Sequence, residues 1–180
     1  VELARASKPP LFYASIGNGS MHHIGMEIFK EHLKIDLTHV PYRGGGPAGV
    51  ALVAGNVQVA YGGGSLAALI RAGKVRALGT TGATRSPVFP DLPNIGEIYP
   101  GYEVLIWHGS FAPAKTPLAI LNRLHAEIGN VLKQPEVGAR LIKSGSGEPY
   151  ITTREAFTAR ILSDNTKFGK VIKTLGIKSE

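Results

Sequence analysis

The chain of 180 residues contains no cysteine, and this absence excludes three kinds of chemistry. A protein without thiols can form no disulfide, use no thiolate nucleophile and build no zinc site on cysteine sulfur. A chain without cysteine is compatible with either the cytosol or the periplasm.

Long apolar runs are also absent. No stretch approaches the roughly 18 consecutive apolar residues that a membrane-spanning helix needs. No signal peptide is visible and the chain begins at Val1 rather than at a methionine, so we expect a processed or truncated chain. With 43% hydrophobic and 18% charged residues, the composition is typical of a globular protein with a core.

Clusters of positive charge are missing, although the net charge is +7. The lysines and arginines are scattered, and aromatic residues do not alternate with them as they do on a surface that binds single strands. This pattern disfavours nucleic acid as a partner. It is compatible with a small anionic ligand, or with a mildly basic, solvated surface.

Catalytic signatures are absent too. The sequence has no G-x-S-x-G elbow, no H-E-x-x-H metal motif and no G-x-x-x-x-G-K-[ST] phosphate loop. A dinucleotide fingerprint beginning at Gly17 would need glycine where His22 stands. Because His22 and His23 diverge by about 100° on a helix, they are poorly placed to share a metal. We therefore predict no catalytic group, no metal site and no cofactor.

The most informative segment that is present is LFYASIGNGSMHHIGMEIF, at residues 11–29. A short apolar run leads into a turn of Gly17, Asn18, Gly19 and Ser20, and a helical pattern of apolar residues follows. Glycines allow the backbone to approach a ligand closely, and the first-turn N–H groups of a helix attract anions. Spacing alone supports an anion site and an ordinary turn capped by Ser20 about equally.

The same order of strand, glycines, hydroxyl and helix recurs at Gly62, Gly63, Gly64 and Ser65. We predict a second anion-binding turn there, and the alternative is a loop that needs glycine for positive φ. The alternation of strands and helices favours a mostly parallel sheet, whose ligands collect at the carboxyl ends of its strands. The predicted strands are 11–15, 36–40, 57–61, 75–81 and 103–111, and residues 84–101 are predicted as an irregular loop. The predicted helices are 20–33, 47–54, 66–72 and 135–144. Two further helices are predicted, one after Pro117 and one that begins with a capping box of Thr152 and Glu155.

A series of segments resembles a known family. In chain order they are SIGNGSMHHIGMEIF, HVPYRGGGPA, GNVQVAYG, IRAGKVRALGTTGATRS, FPDLPNIGEIYPGYEVLIWHGSFAPAKTP, ILNRLHAEIGNVLKQPEV and FGKVIKTLGIK. The series is similar to the Bug-type extracytoplasmic solute receptors, the TctC-like binding subunits of tripartite tricarboxylate transporters. It covers nearly the whole chain in the order of the family.

The resemblance implies an α/β fold of the type II periplasmic binding protein kind, in which two lobes of mixed sheets and helices enclose a ligand. Residues 1–108 would form the second lobe and residues 109–180 a mainly helical return into the first lobe, whose N-terminal half is absent from this chain. The implied ligand is a small carboxylate, the implied partners are membrane transporter subunits, and the implied location is the periplasm.

The resemblance also implies the residues of the site. The expected ligand-binding residues are Ser15, Gly17, Asn18, Gly19, Ser20, His22, Tyr42, Gly62, Gly63, Gly64 and Ser65. For Tyr42, packing at a strand end is about as good an interpretation. His23 is expected to be a core histidine bonded to the backbone.

Two other functions stay open at this point. One is the effector-sensing domain of a transcription regulator, which can share this lobe architecture. The other is an enzyme that acts on the bound anion, although no nucleophile or base is evident near Ser20. The apolar helix faces of residues 110–180 lack the first-lobe strands on which the family packs them. We therefore expect either that this fragment self-associates through these helices or that it comes from a parent chain whose N-terminal part was lost.

Overall fold

The computed structural model of the chain describes residues 1–177, so Lys178, which ends the segment FGKVIKTLGIK, lies outside the described residues. The strands are β1 (Leu11–Ser15), β2 (Leu37–Pro41) and β3 (Val59–Ala60). The helices are α1 (Glu2–Ala6), α2 (Met21–Leu33), α3 (Gly45–Val53), α4 (Gly64–Arg71), α5 (Ile95–Ile98), α6 (Leu118–Leu132), α7 (Pro135–Ser144) and α8 (Arg154–Leu175). Within residues 1–177, none of these helices has the length and apolar character required to cross a membrane.

A three-stranded parallel sheet in the order β2-β1-β3 forms the centre of the fold. β1 pairs with β2 in register from Leu11 opposite Leu37 to Ser15 opposite Pro41, and β3 pairs with the other edge of β1. Parallel strands need crossover connections, which α2 and α3 provide. The carboxyl end of β1 therefore lies in the middle of one edge of the sheet.

The core has two faces because the side chains of β1 alternate between the two sides of the sheet. Tyr13 is fully buried on one face, where Met26 and Leu33 of α2 pack with it. Ala14 is fully buried on the opposite face, where α3 contributes Ala48. The predicted alternation of strands and helices around a parallel sheet is thus confirmed for this part of the chain.

Two predicted strands do not form. Residues 75–81 and 103–111 lie outside the ladders of the sheet, and the first segment contributes only an isolated bridge between Thr80 and Asn94. Residues 102–105 do alternate between buried and exposed as a strand would. In the described part of the chain, however, no neighbouring strand pairs with them, and a burial pattern without a partner does not make a strand.

The predicted strand at 57–61 is shortened to β3. The backbone N–H of Phe12 donates to the side-chain Oε1 of Gln58 at 3.0 Å, while the Gln58 N–H donates to the Phe12 carbonyl at 3.0 Å. A side-chain oxygen therefore takes the place of a backbone carbonyl, and the regular ladder begins one residue later.

The caps of two helices differ from the prediction, and α3 and α4 each begin two residues before their predicted starts. Asn94 and Glu97 form a capping box inside the segment predicted as irregular: the Asn94 side chain accepts a first-turn N–H at 2.7 Å, and the Asn94 N–H donates to Glu97 at 3.1 Å. The capping box predicted at Thr152 is wrong. Thr153 caps α8 instead, because its hydroxyl accepts from the Ala156 N–H at 3.1 Å.

The C-terminal helices are unevenly packed. Asp164 of α8 accepts from Trp107 Nε1 at 2.7 Å, and this bond connects α8 to the segment that precedes α6. Asp164 also accepts from Arg160 Nε, in the same helix, at 2.8 Å. By contrast, Leu124 and Ile128 of α6 are 47% and 41% exposed, so this apolar face of α6 is open to solvent in the described chain. The division into lobes at residue 108 stays a prediction.

Candidate functional site

Three turns meet at the carboxyl edge of the sheet. Residues 16–20 connect β1 to α2, residues 42–44 connect β2 to α3, and residues 61–63 connect β3 to α4. Because the three strands are parallel, the N-terminus of each following helix lies at this edge. Helix N-termini carry partial positive charge and unpaired N–H groups, so the edge favours an anion.

The first of these turns has the tight geometry that the sequence predicts. Gly17 and Gly19, on either side of Asn18, adopt φ angles of 131° and 70°, which residues with a Cβ rarely do. The Ser20 hydroxyl donates to the Gly17 carbonyl at 2.7 Å and accepts from the His23 N–H at 3.2 Å. Ser20 is therefore the N-cap of α2, and its one hydroxyl proton is used inside the turn.

The donors that this turn offers outward are backbone N–H groups. The N–H groups of Met21 and His22 belong to the first turn of α2, where no earlier carbonyl of the helix can reach them. The N–H of Ile24 is the one that bonds to the Ser20 carbonyl, at 2.9 Å. A ligand anion at the carboxyl edge would therefore meet the N–H groups of Met21 and His22 first.

Ser15 lies beneath the turn. Its side chain is 1% exposed, and its Oγ accepts from the Gly17 N–H at 3.2 Å and lies 2.7 Å from His39 Nε2. The sequence predicts Ser15 as a ligand-binding residue, but these contacts make it a support for the backbone of Gly17.

His23 and His39 form a stacked pair under the same turn. His23 Nδ1 accepts from the Gly19 N–H at 3.2 Å, which confirms the prediction that His23 bonds to the backbone. The two rings are 3.8 Å apart between centroids. Burial is the main reason why both pKa values are lowered, and in His39 the charge of His23 adds to it and brings the pKa to about 4. Both rings are therefore neutral at neutral pH.

His22 lies between the first and third turns. Its Nε2 is 3.7 Å from where a Cβ on Gly63 would be, and its ring meets the Tyr61 ring edge-on at 6.3 Å between centroids. Its Nδ1 is buried, and no partner within residues 1–177 bonds to it. Burial, with a smaller effect from the charge of His108, lowers the pKa of His22. A neutral imidazole with an unused nitrogen thus stands at the carboxyl edge.

The turn of residues 62–64 needs glycine for space. The alternative that these glycines supply positive φ is wrong, since none of the three adopts it. A Cβ on Gly64 would lie 3.0 Å from the backbone of Gly145, which ends α7, and a Cβ on Gly45 would lie 2.6 Å from the Ser65 Cβ. Gly64 is therefore covered by another part of the chain, whereas Ser65 contacts the start of α3.

Tyr42 joins the first turn to the second. Its N–H donates to the Ser15 carbonyl at 3.0 Å, and its carbonyl accepts from the Gly44 N–H at 2.9 Å. A Cβ on Gly17 would lie 3.9 Å from the Tyr42 carbonyl oxygen. The backbone of Tyr42 thus flanks the turn in which an anion is expected.

A small cleft separates these turns. It has a volume of only about 10 Å³, and His22, Tyr61, Ser65 and Leu66 are among the residues that line it. Ligand pockets usually have roughly 300–1,000 Å³, so this cleft is too small to hold a ligand by itself. In residues 1–177 no three histidine, aspartate or glutamate side chains are grouped so that they could hold a metal ion.

Sequence reasoning missed two residues that support the site, His39 and Tyr13. His39 lies directly opposite Tyr13 in the ladder, and the Tyr13 hydroxyl donates to Glu27 at 2.6 Å. Neither contact follows from spacing along the chain. The register of β1 against β2, had it been predicted, would have placed His39 beside the turn.

Comparison with known proteins identifies similar sequences over the whole described chain. The sequence pattern of the family described as tripartite tricarboxylate transporter family receptor, TctC, matches residues 1–177. A UPF0065 protein from the tcbD-tcbE intergenic region of Pseudomonas sp. (strain P51) is 39% identical over 158 residues, which are 84% of this chain and 47% of that protein. The chain thus spans about half the length of this curated relative.

Solved structures show the same fold. The protein Rpa4515 of R. palustris, solved with adipate, has a TM-score of 0.84 and 30% identity, covering 94% of this chain and 57% of its own. The periplasmic binding protein BugD has a TM-score of 0.77 and 28% identity, and the match covers 99% of this chain and 61% of BugD. MatC of Rhodopseudomonas palustris, with bound malate, has a TM-score of 0.72 and 32% identity, and the match covers 90% of this chain and 56% of MatC. The expected α/β fold of periplasmic binding proteins is confirmed.

Proposed function

Because this chain belongs to the tripartite tricarboxylate transporter receptor family, we propose that it binds a small organic carboxylate at the turn of residues 17–20. The observation that carries the proposal is the glycine turn that opens α2 at an edge where three helix N-termini meet. Two structurally similar proteins hold adipate and malate, and both of these ligands are dicarboxylates.

One carboxylate of the ligand accepts hydrogen bonds from the N–H groups of Met21 and His22 and lies on the positive end of the α2 dipole. Gly17 and Gly19 keep this approach open because they carry no side chain. The His22 ring, neutral and with an unused Nδ1, lies beside the carboxylate and contributes polarity without a fixed charge. The ligand leaves unchanged, since binding involves no chemical step.

The proposal extends to the whole protein. The ligand is enclosed between two lobes, of which this edge is one wall, and the loaded receptor delivers it to the membrane subunits of a tricarboxylate-type transporter in the periplasm. The small volume of the cleft, about 10 Å³, is consistent with this proposal, because an enclosed dicarboxylate needs a larger site with a second wall.

Replacement of Met21 by proline tests the site, because it removes one N–H donor from the first helical position, where proline is tolerated. Ser20 already has the extended conformation (ψ 156°) that proline requires of its predecessor. We expect the affinity for adipate to fall by about 1.5–3 kcal/mol, the usual contribution of a hydrogen bond to a charged group. Isothermal titration calorimetry measures the change.

Met21→Ala is the matched control, since it also removes the side chain but keeps the N–H. Equal affinities of the proline and alanine variants for adipate would show that the anion is not held at the start of α2. The uncharged diamide of adipate should bind to neither variant nor to the parent chain.

A further inference from the structure

The stacked pair of His23 and His39 holds both glycines of the anion-binding turn. His23 Nδ1 accepts from the Gly19 N–H at 3.2 Å. His39 Nε2 lies 2.7 Å from Ser15 Oγ, which in turn accepts from the Gly17 N–H at 3.2 Å. Each ring therefore fixes one side of the turn, and the stack links the two sides.

The pair is itself fixed by the sheet and by α2. The His39 ring stacks on the Tyr13 ring, with 4.9 Å between centroids, and on the His23 ring, with planes 14° apart. The charged groups that face the pair come from α2, where Glu27 and Lys30 form an ion pair at 2.8 Å. Glu27 also accepts from the Tyr13 hydroxyl at 2.6 Å, so its charge is already compensated by two partners.

The hydrogen bond to Gly19 exists only while His23 Nδ1 is unprotonated. Protonation would place an N–H group against the Gly19 N–H, and a second proton on His39 would put two positive rings face to face. Burial lowers the pKa of both histidines, and the charge of Lys30 lowers them further while that of Glu27 acts in the opposite direction. The neutral pair is therefore complete above about pH 6.5 and is lost as the pH falls through the lowered values.

We propose that His23 and His39 are positioning residues that hold the turn of residues 17–20 in its anion-binding conformation while they are neutral, so that acidification releases the turn. The inference rests on the proposed function for the binding of an anion at this turn. The hold on Gly19 and Gly17 is a property of the chain without ligand.

The first test follows the chain without ligand by ¹⁵N nuclear magnetic resonance from about pH 8 down to the region of the His39 pKa, about 4. We expect the Gly19 amide resonance to move together with the His23 ring resonances, and to stay in place in His23→Asn, because asparagine Oδ1 can accept the same N–H and does not titrate. A Gly19 amide that ignores the protonation of His23 would overturn the inference.

The second test measures adipate affinity at about pH 7.5 and pH 5. At the higher pH we expect His23→Asn and His39→Gln to bind within about twofold of the parent, and His23→Leu to bind about tenfold more weakly. Between the two pH values, the parent should lose about fivefold more affinity than the doubly substituted chain, His23→Asn with His39→Gln. Protonation of adipate itself affects both chains equally, so it does not contribute to the difference between them.

Parallel pH profiles of the parent and the doubly substituted chain, or a parent whose affinity rises as the pH falls, would overturn the inference. A parent chain that binds no adipate at either pH, while its Gly19 amide follows His23, would refute the proposed function and support the hold of the pair on the turn.

Discussion

Replacement of Tyr13 by alanine is expected to lower the free energy of unfolding by about 3–5 kcal/mol, the usual cost of deleting a large buried aromatic ring. Tyr13 is fully buried in the central strand. Its ring supports His39 at 4.9 Å between centroids, and its hydroxyl donates to Glu27 at 2.6 Å. The loss therefore affects the core and the support of the anion-binding turn together. Since small proteins are stable by only about 5–15 kcal/mol, this loss is a large share of the total stability.

Tyr13→Phe is the control that separates the ring from the hydroxyl. Phenylalanine keeps the packing and removes one hydrogen bond to a carboxylate, so it should cost about 1.5–3 kcal/mol. Urea unfolding followed by circular dichroism measures both changes. Equal stability of the alanine and phenylalanine variants would contradict the role of Tyr13 as the central residue of the core.

The part of the site that could be predicted from the sequence is the part that local chemistry determines. The segment of residues 11–29 contains a strand pattern, glycines for a turn and a helical period, and each depends on neighbours along the chain. β1 and α2 form close to where they were predicted. A hydrogen bond between His23 and the backbone was also predicted, and the structure identifies the Gly19 N–H as its partner.

The part that could not be predicted depends on pairing between distant segments. Residues 102–105 alternate between buried and exposed as a strand would, yet a strand also needs a partner, and the sequence does not state which segment lies beside it. His39 contacts Ser15 only because β2 runs in a particular register with β1. Gly64 is covered by Gly145, a contact between residues far apart in the chain, so spacing within the glycine turn could not show it.

Self-association of the 180-residue chain through α6 is the second large effect that we expect. The apolar residues Leu118, Ile120, Leu124, Ile128 and Val131 of this helix are 61%, 50%, 47%, 41% and 49% exposed, respectively. Positions 120, 124, 128 and 131 follow the i, i+4, i+8, i+11 spacing of one helix face. A continuous apolar stripe of this kind on an exposed helix normally contacts another surface, and in a solution of this chain alone that surface is a second copy.

Light scattering coupled to size-exclusion chromatography, across the micromolar range, should therefore give a mass above that of the 19.1 kDa monomer. Leu124→Glu places a charge in the middle of the stripe and should return the chain to a monomer, because burying an unpaired carboxylate in an apolar contact is unfavourable.

Asn122→Glu is the matched control. Asn122 is exposed on α6, about 200° around the helix from Ile120, so the same charge there should leave the association unchanged. A parent chain that is monomeric throughout the range, or a control that dissociates as completely as Leu124→Glu, would contradict association through this face.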